Sequence, residues 1–291
     1  MKKLLTILLL SISSISYAVE PINIVVPVSP GGNIDVFART LSKTLQDNNI
    51  PNVLLYQTGA SGDIAHNFTI NKKNNTILIG SFGNFVLSHV FQNRDNFYAT
   101  SMTVIAPIAE VPPGFMTNAK GFSNFKQLIE YAKVSILPCG VSSANALELL
   151  KINKEYNTNF EPVQYRGTAQ VKLDLLSNTI KCGYDGAGAY MQEHQTSSLK
   201  VLATVREISP KIPLVSSILP KYTFTSWIGA AIPNDSNLLG NKELLVILRN
   251  FGKYEQVSEK LNASGILLTK PDNNINSKML YQTNLYKAYV R

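Results

Sequence analysis

The sequence is poor in the residues that build metal centres. It has two cysteines and three histidines in 291 residues. These five residues stand far apart, without the short spacings of a zinc site: Cys139, Cys182, His66, His89 and His194. We therefore expect neither a bound metal nor a cofactor.

The motifs of the common catalytic sites are also missing. The sequence contains no G-x-S-x-G elbow, no H-E-x-x-H pair and no Walker A loop. No side chain can be assigned as a general base, so we expect that the protein is not an enzyme. Lysine and arginine do not cluster between aromatic residues, so nucleic acid is not an expected partner. The formal net charge of +8 instead favours small anions or an anionic surface.

Long hydrophobic runs are absent except near the start of the chain. Lys2 and Lys3 precede an apolar stretch over residues 4–15, which is too short to span a bilayer. Ser16 and Ala18 place small residues at the −3 and −1 positions of a cleavage site. We expect residues 1–18 to be a cleaved signal peptide and the mature chain to lie in the periplasm.

Residues 22–39 carry the strongest structural pattern in the sequence. The apolar run over residues 22–28 is typical of a strand that is buried on both faces of a parallel sheet. Ser29-Pro30-Gly31-Gly32 then predicts a turn with positive φ and close backbone approach, followed by a helix from Asn33 or Asp35. Free N–H groups and the positive end of the helix dipole would meet there, which suits an anion.

The same strand, small-residue turn and helix recur along the chain. Predicted strands over residues 53–57 and 77–80 end in turns at residues 58–62 and 81–84. A second unit follows, with predicted strands over residues 136–138, 160–165 and 180–184. In open α/β sheets, ligands bind beyond the carboxyl ends of the strands.

These units predict an α/β fold with two lobes and mainly parallel sheets. Lobe 1 would contain residues 19–121 and 226–291, and lobe 2 residues 122–225. Two hinge crossings, near residues 118–123 and 220–225, would join the lobes around a ligand cleft.

Four motifs in order resemble the receptors of tripartite tricarboxylate transporters, the Bug family. They are Val-Pro-Val-Ser-Pro-Gly-Gly-Asn-Ile-Asp (26–35), Gly-Ala-Ser-Gly (59–62), Tyr-Arg-Gly-Thr-Ala-Gln (165–170) and Tyr-Asp-Gly (184–186). The resemblance covers nearly the whole mature chain. It implies a type II periplasmic binding fold that holds a small carboxylate, such as a di- or tricarboxylate, and delivers it to membrane permease subunits. We expect a monomer.

The resemblance also implies the ligand-binding residues. In the family, two turns grip the ligand carboxylate, partly through ordered waters. The matching positions here are Val28, Ser29, Pro30, Gly31, Gly32, Asp35, Asp185, Gly186 and Ala187. Further candidates at the other strand ends are Gly59, Ser81, Ser142, Ser143 and Tyr165, and Ser143 could equally cap a helix.

Two aspartates beside a bound carboxylate would repel it, and three interpretations of Asp35 and Asp185 remain open. Asp35 could flank a helix start, both could orient waters, or one could pair with a ligand ammonium group. Two alternative functions also remain: a periplasmic enzyme that acts on a carboxylate, and a ligand-sensing receptor for a membrane signalling protein.

Cys182 falls in a predicted strand, and Cys139 stands at the end of another. An oxidising compartment favours a disulfide, and the spacing of neighbouring strands permits one. We expect the two side chains to lie at different positions along the strand direction, because Cys139 is next to the turn that follows its strand, whereas Cys182 precedes its turn by three residues. The sequence therefore predicts free, buried thiols.

Overall fold

The computed structural model of the chain describes residues 20–91, 100–105, 109–142, 145–222, 224, 226–269 and 274–287. The predicted signal peptide and Ser143 lie outside these residues. The strands are β1 Ile22–Val26, β2 Asn52–Tyr56, β3 Thr76–Ser81, β4 Met102–Val104, β5 Ala109–Glu110, β6 Pro113–Asn118, β7 Leu137–Ser142, β8 Phe160–Tyr165, β9 Cys182–Gly186, β10 Leu199–Thr204, β11 Trp227–Pro233 and β12 Leu267–Leu268. The α-helices are Asn33–Asp47, Asp63–Lys72, Ser88–Phe91, Phe125–Val134, Ala146–Tyr156, Thr168–Leu176, Met191–Gln195, Lys242–Asn250, Glu255–Ala263 and Ile275–Tyr286.

The strands form two mixed sheets. The first has the order β12-β5-β11-β3-β1-β2 with β4 beside β11, and the second has the order β10-β6-β9-β7-β8. β1 runs parallel to β2 and β3, and β7 runs parallel to β8 and β9. β11 and β6 are antiparallel to their neighbours. The two-lobed α/β fold is confirmed, but the sheets are mixed rather than mainly parallel, because β6 and β11, which follow the two passages between the sheets, pair antiparallel with their neighbours.

The chain passes between the sheets twice. It leaves the first sheet at Val111 and Pro112, between β5 and β6, and returns between β10 and β11. The first crossing therefore precedes the predicted position at residues 118–123. The apolar pattern does not show which sheet β6 joins. The register of β6 shows that it joins the second sheet, because Phe115 of β6 pairs with Tyr184 of β9.

The predicted strand and helix over residues 22–39 are present. β1 is buried apart from Asn23, and Asn33–Asp47 buries Phe37, Leu41 and Leu45 against the first sheet. These positions form one apolar stripe at helical spacing. The turn between them therefore connects two elements that are packed into the core.

A single hydrophobic cluster continues from one sheet to the other. It includes Leu78 of β3 as well as Val141 of β7. Phe82 contacts Phe224 with ring centroids 5.4 Å apart, and Phe85 stacks on Trp227 at 5.5 Å. Offset and edge-to-face aromatic pairs of this kind add to the stabilisation from burial.

Cys139 and Cys182 form a disulfide, so the prediction of free thiols is wrong. The two residues are direct partners in the parallel pairing of β7 with β9, and their Cα atoms are 4.4 Å apart. β7 continues through Gly140 to Ser142 instead of ending at Pro138, where the predicted strand ended. Cys139 therefore lies three residues before its strand end and at the same level as Cys182.

No helix in the part of the chain that the structure describes is long and apolar enough to cross a membrane. Over the same residues, no three His, Cys, Asp or Glu side chains come together as a metal site would require.

Glu148 is a buried carboxyl group within the second lobe. It accepts a hydrogen bond of 2.7 Å from the Tyr222 hydroxyl, which lies 2.6 Å from the hydroxyl of Tyr184. The Lys151 ammonium group lies 5.5 Å from the Tyr222 ring centroid. Burial raises the pKa of Glu148 to about 7, and neighbouring Glu155 adds to the shift while Lys151 and the tyrosine hydroxyls oppose it.

We expect this carboxyl group to make folding stability depend on pH. Because the pKa is higher in the folded chain, its contribution is fully present below about pH 4.5 and is lost as pH rises through about 7. A shift of this size corresponds to about 3 kcal/mol. Glu148→Gln should therefore be more stable than the parent at pH 8, but not at pH 5, in urea unfolding. The exposed Glu161→Gln serves as control, and an identical pH dependence in Glu148→Gln and the parent would contradict the assignment.

Candidate ligand-binding site

A small cavity of about 40 Å³ lies between the two sheets, at the ends of β1, β3, β7 and β9. We call it the first cavity. Its lining residues are Val28, Gly32, Asn33, Ile34, Ser81, Val111, Pro113, Ser142, Asn145, Thr168, Asp185, Gly186, Ser226 and Ile228. Among these lining residues, Asp185 is acidic and none is basic.

Three helices begin at the wall of the first cavity. Gly32 precedes Asn33–Asp47, Asn145 precedes Ala146–Tyr156, and Thr168 is the first residue of Thr168–Leu176. At none of the three starts does a side chain of the preceding residue accept a hydrogen bond from the first turn. Residues at three helix starts, from both lobes, thus line one small space, and the positive ends of the three helix dipoles lie at its wall, which favours an anion.

The two lobes meet closely at the glycine turn. A Cβ atom added to Gly32 would lie 3.0 Å from Thr168 Oγ1 and 3.1 Å from Thr168 Cβ, across the cleft. Close by, the Ser29 N–H donates to the Arg166 carbonyl oxygen at 3.3 Å. Gly31 has the expected positive φ of 98°, whereas Gly32 has φ −102°. A glycine is therefore needed at position 32 because Thr168 of the opposite lobe leaves no room for a side chain. The backbone conformation of Gly32 would allow other residues.

Asp185 presents a buried carboxyl group to the first cavity. Its Oδ1 accepts hydrogen bonds from Ser142 Oγ at 2.8 Å, Asn145 Nδ2 at 3.3 Å and the Gly186 N–H at 2.8 Å. Burial raises the pKa of Asp185, against the opposing effect of Ser142, the Gly186 N–H and Thr168. Asp185 Oδ2 and Asn33 Nδ2 are buried and have no hydrogen-bond partner among the described residues. Because buried polar groups are normally paired, we expect a polar group of a ligand, or an ordered water, in this cavity.

Asp35 does not line the first cavity. Its carboxylate accepts hydrogen bonds from the Gly31 N–H at 2.9 Å, Arg39 Nε at 2.9 Å and the Tyr56 hydroxyl at 2.5 Å. Burial, followed by the bond to Asp35, raises the pKa of Tyr56 to about 12. Asp35 thus fixes the turn at the helix start, as in the first of the three interpretations.

The predicted site residues that the structure describes fall into three groups, one of which, Gly59 and Tyr165, lines a second cavity described below. Those that line the first cavity are Val28, Gly32, Ser81, Ser142, Asp185 and Gly186. Those that line neither cavity described here are Ser29, Pro30, Gly31, Asp35 and Ala187. Ala187 is buried and donates its N–H to the Pro112 carbonyl oxygen at 3.0 Å, which ties β9 to the first crossing.

Sequence reasoning missed several residues of the first cavity, namely Asn33, Ile34, Val111, Pro113, Asn145, Thr168, Ser226 and Ile228. Two of them carried a usable signal. Asn33 lies in the first glycine motif, and Thr168 lies in Tyr-Arg-Gly-Thr, at a predicted helix start.

A second cavity of about 240 Å³ adjoins the first and also lies between the lobes. It is lined by Pro27, Val28, Gly59, Ala60, Ser61, Gly62, Asn84, Gln164, Tyr165 and Arg166. Val28 belongs to both cavities. The predicted residues Gly59 and Tyr165 lie here, and the Tyr165 hydroxyl donates to Asp174 Oδ2 at 2.6 Å.

Comparison with known proteins agrees with this architecture. The chain is 24% identical over 281 residues to the protein BugT of Bordetella pertussis, covering 88% of this chain and 81% of that protein. MatC of Rhodopseudomonas palustris, with bound malate, has a TM-score of 0.83 at 16% identity and covers 93% of this chain and 99% of its own. The R. palustris protein Rpa4515, with adipate, has a TM-score of 0.81 at 21% identity over 92% and 95%. No model of a protein family matches the chain.

These similarities confirm the resemblance to Bug receptors that the sequence motifs indicate. They also confirm the fold class, because the similar structures superpose over more than nine-tenths of the chain.

Proposed function

We propose that this chain is a periplasmic receptor that binds a small organic carboxylate between its lobes and delivers it to a membrane permease. The observation that carries the proposal is the convergence of three uncapped helix starts on the first cavity. Such a site can hold an anion without any basic side chain. The carboxylates held by MatC and Rpa4515 agree with this ligand class.

Asp185 is compatible with a carboxylate in two ways. Burial favours its protonated form, which would donate a hydrogen bond from the unpaired Oδ2. Alternatively, waters between Asp185 and the ligand would direct their O–H groups toward both. A ligand ammonium group would also pair with Asp185, so an amino acid is the competing ligand class.

The sign of the ligand charge can be tested at Asn145. Asn145→Asp replaces the amide donor to Asp185 with a second carboxyl group at a helix start that lines the first cavity. At pH 8, where this pair of carboxyl groups is more negative than the parent site, we expect the affinity for carboxylates to fall at least tenfold through like-charge repulsion. If the ligand binds mainly through an ammonium group, the affinity rises instead. The matched control is Asn241→Asp, which places the same charge at the start of Lys242–Asn250, outside the cavities.

The measurement begins with a thermal-shift screen of carboxylates and amino acids on the parent protein. A ligand present at about one hundred times its dissociation constant stabilises the fold by about 2.7 kcal/mol. Calorimetry on the parent and both variants then gives the affinities. An equal loss of ligand affinity in both variants would contradict binding at the first cavity.

The enzyme and sensor alternatives give different outcomes. A receptor returns its ligand chemically unchanged after prolonged incubation, whereas an enzyme converts it, and mass spectrometry of the released ligand distinguishes the two. A transport receptor restores ligand uptake when it is returned to cells that lack it, whereas a sensor alters signalling without changing uptake. The same proposal includes that the protein is exported to the periplasm, that it is a monomer and that its partner is a membrane permease.

A further inference from the structure

The first cavity, of about 40 Å³, is the smaller of the two cavities described between the lobes. The helix starts at its wall suit one carboxylate group of a ligand. A carbon chain attached to that group would then extend toward the second cavity.

The second cavity is the adjoining space between the lobes. It shares Val28 with the first, and hydrogen bonds connect the two along one side: Ser81 Oγ donates to Asn84 Oδ1 at 3.0 Å, and Asn84 Nδ2 donates to the Ser61 carbonyl oxygen at 3.0 Å. Its volume of about 240 Å³ exceeds that of the first cavity severalfold. A carbon chain that passes Val28 would enter it.

Arg166 is the only charged residue that lines the second cavity among the described residues. Its backbone is held in place, because its N–H donates to Gln170 Oε1 at 3.0 Å and its carbonyl oxygen accepts from the Ser29 N–H at 3.3 Å. Its guanidinium group has no hydrogen bond or ion pair to any described residue. An arginine in this position has its planar donors free for a second carboxylate.

We propose that Arg166 binds the second carboxylate of an extended dicarboxylate whose first carboxylate occupies the first cavity. The inference rests on the proposed function and makes it more specific, since it assigns the ligand class and names a residue that determines specificity. Hydrogen bonds to charged groups contribute about 1.5–3 kcal/mol, or roughly a 10- to 100-fold change in affinity.

The test compares adipate with hexanoate, which has the same carbon chain and only one carboxylate. We expect the parent to bind adipate at least tenfold more tightly than hexanoate in calorimetry. Arg166→Met keeps a similar apolar stem, and it should weaken adipate binding 10- to 100-fold while changing hexanoate binding less than threefold. Arg166→Lys, which keeps the charge, should retain part of the preference for adipate.

Arg249→Met is the matched control, because it removes the same charge at the exposed end of Lys242–Asn250, away from both cavities. If adipate binds the parent and Arg166→Met leaves this affinity unchanged, or weakens both ligands equally, the role of Arg166 is overturned while the proposed function stands. If the parent binds no carboxylate in the panel, the proposed function fails and the role of Arg166 fails with it.

Discussion

Gly32→Val is expected to abolish ligand binding while leaving both lobes folded. Even a Cβ atom at this position would lie 3.0–3.1 Å from the side chain of Thr168 in the opposite lobe. The two further methyl groups of valine would require the lobes to move apart at the first cavity. Since that cavity draws its helix starts from both lobes, separation removes donors from the ligand on one side.

Calorimetry and small-angle scattering measure the two parts of this prediction. We expect the parent to contract when a ligand saturates it, as a hinged clamp does, and the Gly32→Val protein to keep its radius of gyration. Gly240→Val is the matched control, because no atom lies within 4 Å of a Cβ added to Gly240. A folded Gly32→Val protein whose affinity remains within a few-fold of the parent would contradict the role of the glycine.

Loss of the Cys139–Cys182 disulfide is expected to destabilise the second lobe by about 4 kcal/mol. The bond closes a loop with a sequence separation of 43 residues, and the chain-entropy relation for a loop of this length gives about that value. Both cysteines are fully buried between β7 and β9, so the native lobe protects the bond from reductants.

Urea unfolding with and without dithiothreitol tests this expectation. The parent should lose stability when it is unfolded and refolded in reductant, whereas Cys139→Ala/Cys182→Ala should behave identically in both conditions. Mass tagging gives a second measurement, since the denatured, unreduced parent should accept no thiol-reactive tag. Two added tags, or a reduced protein as stable as the oxidised one, would contradict the disulfide.

Local sequence patterns determined the elements near the site. The apolar run over residues 22–28 predicted β1, and the stripe of Phe37, Leu41 and Leu45 predicted the helix after it. Such patterns succeed because burial of a strand or of one helix face depends on residues a few positions apart. The glycine turn was predictable for the same reason, including the positive φ of Gly31.

The partners of these elements were decided only by the tertiary structure. The sequence does not show that β6 pairs in the second sheet, or that Cys139 lies opposite Cys182, because strand register joins residues far apart in the chain. The same holds for Asp35, whose carboxylate accepts hydrogen bonds from Arg39 and Tyr56.

The site combines both kinds of information. The sequence by itself determined that small-residue turns end several strands and that helices begin there, which indicates an anion. The tertiary structure decided which helix starts meet, through Asn145 and Thr168, and that Gly32 is needed for contact across the cleft. The reason is physical: a helix start depends on neighbouring residues, whereas a distance between lobes depends on how the whole chain packs.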